Sequence, residues 1–323
     1  MIHIKDTKKI QLNSTERTAV ALGKFDGIHQ GHMLLIEQVL KLQKKGYMGV
    51  VFTFDMRENR VFDVSNMKTI YTSDEKAQVV SDTGVDVLVE YPFDDEFAAT
   101  EPKAFIRDVL VDMIRAGYVV VGSDYRFGRD RKGDVDTLKD YADEYGYKVI
   151  VIDKLEQDDE VVSSTVIRKN ISEGDVRSVI PMLGRPYSMT GEVVSGKQLG
   201  RTIGIPTANM LPEERKLYPP AGVYASRIRI VQGEHACHVD PFRVYKGITN
   251  IGDNPTVNDK GNITIETNIF DFDRDIYGQV IKVELIEKIR GEKKFGSLDE
   301  LKGQMANDIE NSKRILGNKV LVK

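Results

Sequence analysis

Gly23-Lys24-Phe25-Asp26-Gly27-Ile28-His29-Gln30-Gly31-His32 is the stretch whose reading decides the fold of the first half of this chain. An apolar run, Ala19-Val20-Ala21-Leu22, precedes it and reads as a buried strand. Met33-Leu34-Leu35-Ile36 and Val39-Leu40 follow at helical spacing, with Lys41, Lys44 and Lys45 near the end and Gly46 as a stop. The glycines and both histidines therefore fall on a strand-to-helix turn. Glycines let backbone N–H groups approach a ligand closely, and a helix N-terminus attracts anions. His29 and His32, three apart, can project the same way from a first helical turn. Such a turn suits nucleotide phosphates better than the metal site an isolated H-x-x-H would suggest.

Outward from this turn, strands and helices alternate. Strands are expected at 18–22, 48–54, 85–91, 118–121 and 148–152, and helices at 31–45, 74–83, 101–116 and 134–145. In the third helix Thr100 is the expected cap, Pro102 suits the first turn and Gly117 the end. This alternation predicts a parallel sheet with helices on both faces, binding ligands at the carboxyl ends of its strands. The pattern changes near Pro181-Met182-Leu183-Gly184-Arg185-Pro186, so domains are expected at 1–183 and 184–323. Beyond it, strands at 187–194, 223–231, 244–251, 263–270 and 279–286 suggest an antiparallel barrel or sandwich. A final helix starts at the capping box Ser297-Leu298-Asp299-Glu300, and its stripe of Leu298, Leu301, Met305 and Ile309 should pack on the strands.

Composition limits the partners. The 323 residues are 41% hydrophobic and 30% charged, with a net charge of −4. No basic stripe points to nucleic acid, and no apolar run approaches the ~20 residues of a membrane span. The single cysteine, Cys237, suits a reducing cytoplasm. His235, Cys237 and His238 are too close together and too isolated for a zinc site. Gly191-Glu192-Val193-Val194-Ser195-Gly196-Lys197 formally fits G-x-x-x-x-G-K, but Gln198 stands where a P-loop needs Ser or Thr, and the surroundings are strands. The oligomeric state, a homo-oligomer included, is left open.

The turn resembles the G-x-F-D-G-x-H-x-G-H signature of the nucleotidyltransferases that make FAD. Gly122-Ser123-Asp124-Tyr125-Arg126-Phe127-Gly128 is similar to their G-x-D-F-x-F-G segment, and Val162-Ser163-Ser164-Thr165-Val166-Ile167-Arg168 to their I-S-S-T-x-I-R motif. Gly200-Arg201-Thr202-Ile203-Gly204-Ile205-Pro206-Thr207-Ala208-Asn209 closely resembles the G-R-x-x-G-x-P-T-A-N motif of riboflavin kinases. Downstream, Glu266-Thr267-Asn268, Asp271-Phe272 and Tyr277-Gly278-Gln279 resemble that family's E-x-H, D-F and Y-G-Q, with Asn268 in place of its histidine. Asn250-Ile251-Gly252 begins a segment similar to N-I-G-x-x-P-T, and Arg290 to Phe295 matches the segment shaping the flavin pocket. In this order the resemblances span nearly the whole chain, and they are those of the bacterial bifunctional riboflavin kinase and FAD synthetase family.

The resemblance implies a Rossmann-like nucleotidyltransferase domain followed by an antiparallel kinase barrel with a terminal helix. In the first, His29, His32 and Arg168 would neutralise charge as FMN attacks ATP. Gly23, Phe25, Asp26, Gly27, Gly31, Asp124, Arg126, Ser164 and Thr165 would bind nucleotide, with Ser164 capping a helix from Thr165. In the second, Glu266 would be the base that takes the proton of riboflavin. Gly196, Gly200, Arg201, Gly204 and Pro206 would enclose ATP, Thr207 and Asn209 would hold Mg²⁺, and Asn250, Asn268, Arg290 and Phe295 would meet the flavin. One departure stands out: Thr53-Phe54-Asp55-Met56-Arg57-Glu58 replaces the family's T-F-D-P-H-P. A kinase with a repurposed first domain and a flavin-sensing regulator therefore stay open beside the bifunctional reading.

Overall fold

The computed structural model describes residues 1–10, 12, 16–55, 68–157, 160–196, 200, 204–231, 243–254 and 262–317. The chain divides into two compact units, Met1–Ser164 and Thr165–Lys323.

The first unit is built on six strands: β1 (Ile2–Lys5), β2 (Thr18–Leu22), β3 (Met48–Asp55), β4 (Val87–Pro92), β5 (Ala116–Gly122) and β6 (Lys148–Ile152). They form one parallel sheet in the order β1-β4-β3-β2-β5-β6. Every residue of β2 is buried. Val20 and Leu22 belong to one core with Phe105, Ile106 and Leu110, whereas Ala19 and Ala21 belong to another with Leu35, Ile36 and Val39. Successive side chains of a strand point to opposite faces, so both faces of β2 are covered by helices, and this is why it reads as a continuous apolar run. From β2 the chain builds outward to β3 and β4 on one side and later to β5 and β6 on the other. The order reverses between β2 and β5, where such a sheet opens a crevice at its carboxyl ends.

Three expectations in this unit are corrected. Residues 101–116 are not one α-helix: a turn at Pro102–Ala104 leads into a π-helix, Phe105–Met113. Thr100 does not cap it but directs its hydroxyl to the Glu96 carbonyl at 3.5 Å. Nor does Gly117 close it, because β5 already begins at Ala116. The helix end is drawn onto the sheet by β2: the Thr18 hydroxyl donates to Ile114 O (3.0 Å) and the Thr18 N–H to Arg115 O (3.1 Å), and Arg115 turns the chain at φ 56°. A short ribbon, β7 (Glu156–Gln157) with β8 (Glu160–Val161), leads to the helix Ser164–Glu173.

The second unit is a closed antiparallel barrel of β9 (Tyr187–Val194), β10 (Ala208–Met210), β11 (Gly222–Val231), β12 (Tyr245–Asn254), β13 (Asn262–Ile269) and β14 (Val280–Gly291), in the order β10-β13-β12-β11-β14-β9. Five of these strands stand close to where the sequence puts them. The sixth, β10, begins at the Ala-Asn end of the Pro-Thr-Ala-Asn segment, and it closes the barrel between β9 and β13. The helix Leu298–Gly317 packs on the outside, with Ile309, Ile315 and Leu316 against Val223, Ala225, Ile248 and Phe270. Its start is capped as expected in part: Ser297 Oγ accepts from the Glu300 N–H (3.2 Å), but Glu300 reaches back to the Gly296 N–H (3.0 Å). The stripe is corrected at Leu298, which is 60% exposed. Polar groups do much of the docking instead. Asp308 accepts from the Arg290 guanidinium at 2.8 Å and 2.9 Å, and the Ser312 hydroxyl donates to Gly247 O at 2.9 Å.

Two candidate active sites

A cleft of about 880 Å³ opens in the first unit at the carboxyl ends of β2 and β5, lined on one side by Gly23, Lys24, His29, Gly31 and His32. The turn that carries them is strained: Phe25, Gly27 and Ile28 have φ of 45°, 80° and 42°. Left-handed backbone at a non-glycine residue costs about 1–3 kcal/mol and persists only where its surroundings fix it. Here Phe25 and Ile28 are both 0% exposed and belong to the core beneath the turn. At Gly27 a Cβ would lie 3.0 Å from Ile70.

His29 is the N-cap of the helix Gln30–Gln43, and its Nδ1 accepts from the His32 N–H at 3.4 Å. An accepting Nδ1 leaves the proton of a neutral ring on Nε2. The rings of His29 and His32 stack with centroids 3.7 Å apart, so the two side chains do project the same way. Asp26 is tied to the fold: its Oδ1 accepts from the Ile70 N–H (2.9 Å) and its carbonyl from the Ser164 hydroxyl (2.9 Å). Ser164 is thus the first residue of its helix and a donor to the turn, not the accepting cap that the sequence suggests. Thr165 and Arg168 stand on that same helix, in the part that belongs to the second unit.

The segment 122–133 forms the facing wall and is folded rather than merely solvated. Phe127 and Gly133 exchange two backbone bonds of 3.0 Å, and the Arg129 N–H reaches Thr100 O at 2.7 Å. Asp124 pairs with Lys154 (2.9 Å) and Arg126 with Asp134 (2.5 Å), both at exposed positions where such pairs contribute little. The Asp134 carboxyl is held below its usual range, chiefly by the Thr137 N–H.

The remaining wall is aromatic, made by Phe54, Phe93, Phe97, Phe105, Tyr125 and Phe127. Tyr125 and Phe127 stack at 5.7 Å, and Phe93 meets Phe97 edge-on at 5.6 Å. Such a surface suits a flat ring system. The Tyr125 hydroxyl is buried without a hydrogen-bond partner, and burial pushes its phenol well above the usual range. Sequence reasoning missed this wall, since its rings come from scattered segments and each one alone looks like core. Met56, Arg57 and Glu58 lie outside the described residues.

The second site rests on strand register. Asn209 of β10 lies opposite Glu266 of β13, and Glu266 lies opposite Asn250 of β12. Directly opposed residues share a face of the sheet, so these three side chains stand abreast. A Cβ at Gly196 would fall 2.3 Å from the Asn209 amide, so only glycine allows this approach. The Gly200 carbonyl accepts from the Ile205 N–H at 2.8 Å, and Gly204 turns the chain at φ 78°. Asn268 is buried, and its amide donates to Pro206 O at 2.7 Å, so it anchors the Pro-Thr-Ala-Asn segment. Arg290 is paired with Asp308 and lies 5.7 Å from the Phe295 ring, which is half-buried.

Asn209 offers an amide oxygen on the strand position opposite Glu266, and Thr207 a hydroxyl two residues earlier. That all-oxygen set fits a hard cation such as Mg²⁺. Among the described residues no group of three His, Cys, Asp or Glu could hold a metal. Gly191 to Val194 belong to β9, which removes any strand-loop-helix P-loop there. Arg201, Lys197, Gln198, Pro255, Thr256 and the group His235, Cys237 and His238 lie outside the described residues.

Comparison with known proteins gives the same division. Residues 11–166 match the FAD synthetase family model and residues 183–316 the riboflavin kinase model. The chain is 33% identical over 322 residues to the bifunctional riboflavin kinase/FMN adenylyltransferase of Bacillus subtilis, covering 98% of each. It is 34% identical to the protein of that name from Escherichia coli over 304 residues, 94% of each. A crystal structure of a macrolide-efflux protein from Streptococcus pneumoniae shares the fold with a TM-score of 0.82, at 33% identity over 97% of this chain and 98% of that one. Among the described residues no helix is long and apolar enough to cross a membrane. With two family models in tandem and relatives matched end to end, the chain belongs to the bifunctional riboflavin kinase/FMN adenylyltransferase family.

Proposed function

We propose that this chain converts riboflavin to FMN in the barrel and FMN to FAD in the parallel-sheet unit, using ATP for both. The observation that carries the reading is the pairing of a glycine-histidine helix start with an aromatic wall in one cleft of the first unit, while the barrel of the second sets Asn209 against Glu266. We assign residues 1–183 to adenylyl transfer and 184–323 to the kinase, in a reducing cytoplasmic setting.

In the barrel, the riboflavin 5′-hydroxyl oxygen bonds to the γ-phosphorus of ATP while Glu266 accepts its proton, and ADP leaves. Thr207 and Asn209 would hold Mg²⁺, which supplies positive charge beside the ATP phosphates when bound. Gly196 and Gly200 allow the backbone to close on the nucleotide. Asn250, Arg290 and Phe295 face the flavin, with Asn268 acting through Pro206.

In the cleft, a phosphate oxygen of FMN bonds to the α-phosphorus of ATP, and pyrophosphate leaves. No covalent enzyme intermediate is needed, so catalysis is positioning and charge neutralisation. His29 donates from Nε2, His32 stacks on it, and the helix N–H groups face the phosphates. The isoalloxazine ring lies on the aromatic wall.

Chromatography of flavins after incubation with riboflavin, ATP and Mg²⁺ tests this. FMN followed by FAD is expected. FMN alone would leave a kinase with a repurposed first unit, and no product would overturn the reading.

A further inference from the structure

We propose that Thr53 is a positioning residue for adenylyl transfer, acting through the Lys24 carbonyl. This rests on the adenylyltransferase reading of the cleft. Thr53 lies within β3 among Val50, Val51 and Phe52 and is 0% exposed. An aliphatic side chain would serve packing there as well. Its hydroxyl instead donates to Lys24 O at 2.8 Å.

Lys24 immediately precedes the left-handed run of Phe25, Gly27 and Ile28. Thr53 therefore fixes the start of that run, while Asp26 fixes its middle through Ile70 and Ser164. The end of the run is His29, the helix cap. Where the Lys24 carbonyl is held thus decides where the stacked imidazoles and the free helix N–H groups point. Catalysis by positioning is steep in distance, and an ångström of misplacement costs about 10²-fold. Thr53 touches no reacting atom. It acts from behind the turn.

The test compares T53V and T53S in the full chain. T53V keeps the shape but loses the donor. It should lower kcat for FAD formation about 10- to 100-fold, with KM for FMN, riboflavin phosphorylation and the melting temperature unchanged. T53S should restore most of the rate. Imidazole NMR of the five histidines gives a readout independent of activity: the His29 and His32 signals should move in T53V and return in T53S. A T53V enzyme with wild-type FAD formation and unmoved imidazole signals overturns the proposal. So does T53S failing as T53V does, since serine keeps the donor and the rate would then not follow the hydroxyl. Parallel loss of both activities and of melting temperature would also overturn it, as a folding effect. If the wild-type chain makes FMN but no FAD, the adenylylation reading falls, and the imidazole shifts still decide on Thr53.

Discussion

On the proposed reading, the cleft and the barrel handle phosphates by different means. In the cleft the working groups hang on the backbone of a strained turn, and that turn is braced by Thr53, Ile70 and Ser164, far away in sequence. In the barrel they are side chains, set abreast by the pairing of β10, β13 and β12. A turn can lose its geometry while every ligand-binding residue is intact. A strand register has few ways to shift, because a one-residue slip moves every side chain to the other face. The cleft should thus be disturbed from a distance, and the barrel chiefly at its own residues.

The largest expected effect belongs to the barrel. Glu266→Gln should lower FMN formation by about 10³-fold, as loss of a general base does, and leave FAD formation from added FMN unchanged. Separate assays of the two steps check this, and a joint loss would break the independence of the regions. Next, Asp308→Ala takes the carboxylate from the Arg290 guanidinium, whose side chain is only 22% exposed and keeps one bond, to Gly291 O. The barrel should lose about 3 kcal/mol, seen as an earlier denaturant transition for that unit alone. Third, His29→Ala should lower FAD formation by about 10²-fold with normal FMN production. Smallest, Tyr125→Phe removes a buried hydroxyl without a partner. The first unit should gain about 1 kcal/mol, read as a higher melting temperature, and the barrel should not change.

The parts legible in the sequence were those with local signals. β2 is visible because Thr18–Leu22 is buried on both faces, and most barrel strands because they are long. β1 escapes because its four residues form a half-exposed sheet edge. β10 escapes because it is three residues long and two of them end a motif that reads as a loop. The glycine-histidine turn was legible as a strand-to-helix turn, and it does line the cleft. The bond from Thr53 to Lys24 was not, since a threonine in an apolar strand gives no sign of what its hydroxyl meets. Asn268 was assigned to the flavin from its neighbours, whereas its hydrogen bond to Pro206 depends on a contact 62 residues away.

The place of β10 bears on any attempt to graft the Pro-Thr-Ala-Asn motif into another protein. Because it pairs on both sides, with β9 and with β13, it brings a strand with it. A host would need a gap one strand wide between two antiparallel neighbours, and a glycine where Gly196 makes room for Asn209. Transplanted as a surface loop, the same four residues would carry the chemistry's side chains without the seam that aligns them.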